Sequence, residues 1–191
     1  TLNQIITDND SDQDTSSFYL LMNKLVFSSF KFEKINYQLG FDSKIEYAQG
    51  ERIDNNERKL GDHAIYFSSK WSPSSLFAFK PALRLSYNSK FKVPIIPSLN
   101  MILKKNQYSF RFSYAKGFRS PSLKELFFEF VDINHNIVGN RNLKSENSDN
   151  FQINLDFEER FNDFKFELGT KLFYNDIKNL ITLAQSPSSS E

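Results

Sequence analysis

Cysteine is absent from the 191 residues, and histidine occurs only twice, as His63 and His135. Disulfide bonds and thiolate metal sites are therefore excluded, and so is a metal centre built from several histidines. We expect no metal site formed by this chain alone and no cofactor. Glycine and proline are also scarce, with six residues each.

Neither sign of charge dominates, because 24 Lys and Arg residues stand against 23 Asp and Glu residues. Such a balance lacks the basic footprint of a nucleic-acid-binding protein, so we expect no nucleic-acid partner. No segment approaches the roughly 20 apolar residues that a membrane-spanning helix needs. The sequence also shows no catalytic constellation, since the pair Glu158-Glu159 is better explained as a solvated strand end. We therefore do not expect an enzyme.

Aromatic residues are abundant, with 21 Phe and 8 Tyr, and many recur at every second position. Tyr108, Phe110, Phe112 and Tyr114 share one side of a predicted strand, and smaller or polar residues share the other. The same period of two recurs in residues 35–47, 77–87 and 164–174. Helical spacing would not produce this pattern, which predicts an all-β chain.

The pattern predicts about eight long strands in an antiparallel up-and-down meander. Most run about 10 to 13 residues, longer than a typical strand and close to the 9 to 11 residues of a tilted membrane strand. Short connections are predicted near residue 30 and at 72–76, 104–107 and 161–163; longer ones are predicted at 48–62, 88–97 and 119–148. Short turns at one end and long loops at the other are typical of outer-membrane barrels.

Three local features modify this picture. Residues 7–17 have no periodicity and are predicted to be a loop, and Pro81 in mid-strand favours a bulge or a local break. The one helix signal covers 120–128. Either Ser120 caps this helix with Pro121 at its first position, or Ser122 and Glu125 form a capping box.

Periodicity alone leaves a soluble antiparallel sheet open as an alternative. In that case, eight strands with such faces would need a second layer, and no segment here supplies helices to cover them. The long strands, the unequal loops and the aromatic faces therefore favour a membrane barrel.

The stretch from residue 114 to 148 resembles the barrel of TonB-dependent outer-membrane receptors. The family pattern combines an aromatic-x-Lys/Arg-Gly-Phe-Arg-Ala-Pro-Ser/Thr-Leu box with a later Gly-Asn-Pro-x-Leu-Lys-Pro-Glu-x-Ser box, and residues 173–181 resemble a third landmark. The matching residues are Tyr114, Lys116, Gly117, Phe118, Arg119, Pro121, Ser122, Leu123, Gly139, Asn140, Leu143, Lys144, Glu146 and Ser148. The departures are Ser120, Arg141 and Ser145, each in a loop.

The resemblance implies that residues 1–191 are part of a 22-stranded transmembrane β-barrel whose plug domain is absent from this chain. It implies a bacterial outer-membrane location and active uptake of an iron-siderophore, haem or cobalamin-like ligand. The expected partners are outer-membrane lipid, the plug domain of the same receptor, the TonB complex and the small-molecule ligand. A non-transporting adhesin or structural barrel and a soluble β-sandwich binding module are the alternatives.

The same resemblance suggests functional residues. Charges on the polar strand faces are expected to face the lumen, because charges facing lipid cost about 2 to 4 kcal/mol at the midplane. These lumen-facing residues are Lys80, Arg84, Arg111, Lys165, Glu167 and Lys171.

Candidate ligand-binding residues in the long loop are Arg119, His135, Asn136 and Arg141. His135 lies between the two boxes, where haem-uptake members carry a histidine, and neutral imidazole can bind haem iron. The alternative is a polar turn without a ligand. Arg119 could bind an anionic ligand, but we favour a structural role in which it holds the loop through backbone carbonyls and Glu146.

Overall fold

The computed structural model describes residues 2–7, 13–29, 33–131 and 136–183. Nine strands form one antiparallel sheet in the order β1-β2-β3-β4-β5-β6-β7-β10-β11, and β8 pairs with β9 separately. The strands are β1 (Leu2–Thr7), β2 (Gln13–Ser29), β3 (Ile35–Gly50), β4 (Glu57–Ser74), β5 (Phe77–Asn88), β6 (Ile96–Lys105), β7 (Tyr108–Arg119), β8 (Glu129–Val131), β9 (Asn136–Val138), β10 (Glu146–Phe161) and β11 (Phe164–Lys178), and α1 spans Leu123–Phe127. The predicted antiparallel meander with eight long strands and one short helix is confirmed.

Strand pairing joins the alternating apolar residues into one continuous surface, which we call the apolar face. Phe41 of β3 lies opposite Ile65 of β4, and Ile65 in turn lies opposite Leu85 of β5. Many of these side chains are exposed, such as Leu25 at 70%. The other side of the sheet carries the polar alternating residues of most strands, and we call it the polar face. An exposed apolar surface of this extent marks a contact with an apolar partner.

Aromatic rings lie near both ends of the apolar face, where the strands approach the loops and the turns. Near the long loops the pairs are Tyr19–Tyr47 and Tyr114–Phe151, with ring centroids 6.0 and 4.9 Å apart; near the short turns they are Trp71–Phe77 and Tyr108–Phe157, at 5.8 and 5.1 Å. Aromatic girdles at both edges of an apolar band are a feature of transmembrane barrels.

No helix among the described residues is long and apolar enough to cross a bilayer.

The short turns were predicted correctly at two hairpins. Asn106 connects β6 to β7 and Asn162 connects β10 to β11, with φ angles of 52° and 49°. Asparagine tolerates this left-handed conformation better than most residues, which suits a tight hairpin. In the part of the chain that the structure describes, the longer connections β3–β4, β5–β6 and β7–β10 lie at the opposite end of the sheet from these two turns.

The predicted loop at 48–62 is wrong at both of its ends. Strand β3 continues to Gly50 and β4 begins at Glu57, so only residues 51–56 connect them. The pairing continues through Tyr47 and Lys59 to Gln49 and Glu57. Polar residues occupy both faces here, so the pattern lacks alternation although the backbone remains hydrogen-bonded. For the same reason residues 13–17, predicted as loop, belong to β2.

Pro81 causes a local break but no bulge. It lies opposite Leu99 of β6 and has no paired residue on β4, because proline cannot donate a backbone hydrogen bond. The register shift between β4 and β5 lies instead between Trp71 and Ser74.

Candidate functional site

The connection between β7 and β10 folds back over the polar face of β3 and β4. We call its described residues, 120–131 and 136–145, the folded loop. The backbone N–H of Leu123 donates to Glu46 Oε2 of β3 at 3.4 Å, and that of Glu129 donates to the Arg52 carbonyl at 2.9 Å. The folded loop thus passes β4, β5 and β6, which lie between β7 and β3 in the sheet.

A cluster of buried hydrophobic residues lies beneath this loop. Leu123 and Leu126 of α1 are 2% and 0% exposed. Leu123 packs in one cluster with Ala48 of β3 and Ile53 of the β3–β4 connection, which are likewise almost fully buried. Burial of apolar side chains stabilises packing at roughly 25 cal/mol per Å². The folded loop is therefore a packed element of the structure.

A capping box begins α1. The Ser122 N–H donates to Glu125 Oε2 at 2.7 Å, and the Glu125 N–H donates to Ser122 Oγ at 3.3 Å. The capping-box alternative is confirmed, and the cap at Ser120 is wrong. The helix is shorter than the predicted 120–128, because it begins only after the cap at Ser122, and Pro121, which is almost fully buried, precedes that cap.

Arg119 connects three parts of the site. Its Nε and Nη2 donate to the two carboxylate oxygens of Glu146 at 2.7 and 3.0 Å. Its Nη1 donates to both oxygens of Glu125 at 3.0 Å. Glu146 Oε1 also accepts from the Ile181 N–H at 2.6 Å. The expected hydrogen bond from Arg119 to Glu146 is present. Among the described residues, Arg119 bonds to the Glu125 carboxylate in place of the expected backbone carbonyls.

The electrostatics of this arrangement favour ionised carboxylates. Burial opposes ionisation of Glu125, but hydrogen bonds from the Ser122 backbone and from Arg119 outweigh it and lower the pKa of this carboxyl group. Hydrogen bonds to the charged form are one of the three causes of a shifted pKa.

Gly139 allows the two halves of the folded loop to approach each other. Its N–H donates to the Phe128 carbonyl at 2.8 Å. A Cβ atom on Gly139 would lie 2.8 Å from the backbone of both Leu126 and Phe127. Only glycine fits such a close approach of two backbones.

Three cations surround one carboxylate at the edge of the folded loop, and we call Arg58, Lys90, Arg141 and Asp54 the basic cluster. Arg58 Nη2 lies 2.6 Å from Asp54 Oδ2, and Arg141 Nη2 lies 2.5 Å from Asp54 Oδ1. The Phe127 ring has the Arg58 guanidinium carbon 4.7 Å and Lys90 Nζ 4.3 Å from its centroid. Cation–π contacts of this kind hold a charge beside an aromatic face.

The pKa values in the basic cluster reflect its excess of positive charge. The hydrogen bond from Arg58, followed by the charge of Arg141, lowers the pKa of the Asp54 carboxyl group against the effect of burial. The pKa of Lys90 is lowered, first by desolvation of its ammonium and then by repulsion from Arg58 and Arg141. Lys90 is exposed as a whole residue, so the desolvation concerns its end beside Phe127.

The six residues predicted to face the lumen all lie on the polar face. Several have carboxylate partners: Arg84 Nη1 lies 2.5 Å from Asp42, Arg111 Nη1 lies 2.9 Å from Asp156, and Lys165 Nζ lies 3.3 Å from Glu158 and 2.5 Å from Glu167. Lys80 lies opposite Asn100 and Lys171 opposite Asn154. That this face lines a lumen remains a prediction.

The residues predicted to bind a ligand have different surroundings. His135 lies outside the described residues. Asn136 begins β9, where it is exposed and lies opposite Val131. Arg119 is bonded to two carboxylates, and Arg141 belongs to the basic cluster. Ligand binding by these four residues remains a prediction.

Sequence reasoning missed three members of the basic cluster, which are Asp54, Arg58 and Lys90. The available signal was the charged run at 51–62, but a charged run alone does not show which residues meet. Among the described residues, no group of three or more His, Cys, Asp or Glu side chains is arranged to hold a metal ion.

The family model described as "TonB dependent receptor-like, beta-barrel" matches residues 3–191. Two curated relatives come from Haemophilus influenzae. A probable hemoglobin and hemoglobin-haptoglobin-binding protein 3 is 25% identical over 205 residues, covering 97% of this chain and 17% of the relative. A heme/hemopexin utilization protein C is 34% identical over 171 residues, covering 79% of this chain and 24% of the relative. The chain thus spans about a quarter or less of each.

A similar architecture occurs in the crystal structure of the siderophore receptor PirA from Pseudomonas aeruginosa. The TM-score is 0.69 at 22% sequence identity, over 88% of this chain and 33% of that one. At this identity the likeness concerns the fold.

Proposed function

Since this chain belongs to the TonB-dependent receptor β-barrel family, we propose that it forms part of an outer-membrane receptor that imports an iron-bearing ligand. The continuous apolar face, with aromatic residues near both ends, supports lipid as its partner. The polar face then lines the lumen, where the plug domain of the same receptor packs. The TonB complex supplies the energy for import through a part of the receptor outside this chain.

The observation that carries this proposal is the folded loop. It connects strands at the end with long connections, which is the extracellular end in outer-membrane barrels. It also folds over the polar face, so a ligand arriving from outside meets it before reaching the lumen. A packed loop at this position suits a receptor that captures a ligand and then releases it inward.

For the ligand we propose haem. The curated relatives carry names that refer to hemoglobin or heme binding and utilization, and the sequence between β7 and β10 contains an imidazole at His135. Neutral imidazole is a common axial ligand of haem iron. We propose transport and no catalysis, because the receptor has only to bind the ligand and move it across the outer membrane.

A growth experiment tests the transport proposal. The complete receptor is expressed in a haem-requiring Gram-negative host that lacks its own haem receptors, with and without a functional TonB complex. We expect growth on haem only when the receptor and a functional TonB complex are both present. Growth without TonB would contradict active transport and favour a passive barrel, and growth on a ferric siderophore but not on haem would reassign the ligand.

A binding experiment tests the role of His135. In the complete receptor, His135→Ala should weaken haem binding about tenfold or more if its imidazole ligates the iron. Asn142→Ala changes an exposed polar residue of the folded loop that is not among the candidate ligand-binding residues, and it provides the matched control. Unchanged affinity and an unchanged haem absorption spectrum in His135→Ala would exclude ligation by this residue.

A further inference from the structure

We propose that the basic cluster is a subsite for the anionic groups of the imported ligand, specifically for paired carboxylates. This inference deepens the proposed function and rests on it, because it requires the polar face to line the path of the ligand. It concerns the periphery of the ligand and is separate from any contact of His135 with iron.

The first argument is the charge balance. Two guanidinium groups and one ammonium surround one carboxylate, so three positive charges and one negative charge leave a net charge of +2. Asp62, on the same face of β4 as Arg58, accepts a hydrogen bond from Asn88 at 3.2 Å. Lys90 forms no ion pair among the residues that the structure describes. The excess charge is therefore available to an external anion.

The second argument is that the cations come from three separate parts of the chain. Arg58 lies on β4, Lys90 in the β5–β6 connection and Arg141 in the folded loop. Repulsion between like charges opposes this convergence, and after desolvation it is the second cause that lowers the pKa of Lys90. The packing of Phe127 between Arg58 and Lys90 holds the cations close despite it. Binding of an anion would relieve the repulsion.

The third argument is access and donor chemistry. The Arg141 side chain is 65% exposed, and Lys90 is exposed as well, so both can reach a ligand above the loop. Arg58 Nε is buried and has no hydrogen-bond partner. Guanidinium groups bind carboxylates in a planar two-bond geometry, and an ammonium adds a flexible point charge. Lys90 and Arg141 lie on either side of the Arg58–Asp54 pair, and two such cations suit a ligand with two carboxylates.

The competing explanation is purely structural: the cations tie loops together and meet no ligand. The bridge from Arg58 through Asp54 to Arg141 does join the β3–β4 connection to the folded loop. However, that bridge uses one cation for each carboxylate oxygen and does not include Lys90, whose described contacts are with the aromatic rings of Phe91 and Phe127. The ion-pair tie through Asp54 therefore explains two of the three cations and leaves the charge of Lys90 unneutralised.

The experiment compares haem with haem dimethyl ester, in which both carboxylates are neutralised. Binding is measured on the complete receptor in detergent, as wild type, as the double variant Lys90→Gln/Arg141→Gln, and as the control Lys124→Gln. Lys124 lies in the same loop, but its ammonium lies over Phe18, outside the cluster, at 4.5 Å. Arg58 is left intact, because its pairing with Asp54 and Phe127 contributes to folding.

We expect the wild type and Lys124→Gln to bind haem about tenfold or more tightly than the ester, since hydrogen bonds between charged groups are the strong ones. The double variant should bind the two compounds equally. Equal binding by the wild type would overturn the proposal, and so would discrimination that persists in the double variant. A lower melting temperature in the double variant with discrimination intact would mean that the cations pair with another part of the receptor.

If neither compound binds, haem is not the ligand, and the subsite is tested with inorganic pyrophosphate. Calorimetry should then show binding by the wild type and by Lys124→Gln, weakened about tenfold in the double variant and by added salt. Absence of binding to the wild type, or equal binding by all three proteins, would overturn the subsite.

Discussion

Arg119 and Glu146 are joined by two hydrogen bonds, from Nε to Oε2 at 2.7 Å and from Nη2 to Oε1 at 3.0 Å. Nη1 of the same guanidinium reaches Glu125. One side chain therefore links the end of β7, the start of β10 and the helix of the folded loop. This role of Arg119 is structural and does not depend on which ligand the barrel binds.

Replacing Arg119 by lysine should loosen the folded loop. An ammonium cannot reproduce the planar arrangement of donors, so we expect a loss of about 1 to 2 kcal/mol, limited by partial exposure of the pair. Tryptic cleavage at Lys124 and Lys144 should become faster. Arg160→Lys is the control, because its pair with Glu158 is 3.5 Å long and exposed. Equal cleavage in both variants would contradict the structural role of Arg119.

Acidification should release the loop through Glu125. The folded pKa of this group lies below its ordinary value of 4.5, so its contribution is complete above that value and is lost as the pH falls through the folded pKa. Hydrogen exchange of residues 122–128, corrected for intrinsic rates, should rise in the wild type as the pH falls below 4.5. In Glu125→Gln exchange should already be fast at neutral pH. Wild-type protection that stays constant as the pH falls below 4.5 would refute this linkage.

Gly139→Ala should displace the second half of the folded loop from α1. The added methyl group meets backbone atoms at 2.8 Å, and overpacking of this kind costs roughly 1 to 3 kcal/mol. Gly61→Ala is the matched control, because its methyl group would approach the movable His63 ring at 3.3 Å. Thermal unfolding of the two variants should therefore differ, with Gly139→Ala the less stable. Equal stability would show that the close backbone approach is unnecessary.

A charge on the apolar face should prevent insertion into a membrane. Met101 and Asn100 are neighbours on β6, and Met101 lies opposite Phe112 on the apolar face while Asn100 lies opposite Ser113 on the polar face. Met101→Lys should cost about 2 to 4 kcal/mol if this face meets lipid, whereas Asn100→Lys should be tolerated. The folded fraction in outer-membrane preparations, assayed by heat-dependent gel mobility, distinguishes them. Equal folded fractions would indicate that the apolar face meets something other than lipid.

The sheet could be predicted well because alternation carries most of the information about it. In residues 108–114 the alternation alone predicts which side chains belong to the apolar face. Asn106 and Asn162 indicate hairpin turns, because asparagine tolerates the left-handed backbone conformation. Where polar residues occupy both faces, as at Glu57 to Lys59, the pattern disappears although the strand continues. Strand ends beyond the apolar band were therefore the main error.

The site could be predicted less well, because its contacts join distant segments. The motif containing Arg119 and Glu146 identified one pair correctly. Nothing in the local pattern placed Lys90 beside Arg58, since their meeting depends on the pairing of β4 with β5 and on the packing of Phe127. Charge clusters formed by separate loops are a tertiary property.

The hydrogen bond between Leu123 and Glu46 joins residues 77 positions apart in the chain. Contacts between such distant residues form slowly, because the intervening chain must be ordered first. We therefore expect docking of the loop to follow the alignment of β3 to β7. Substitutions such as Leu126→Ala should then accelerate detachment of the loop while leaving the rate of strand assembly unchanged. The folded loop should therefore attach to, and detach from, a sheet that is already formed.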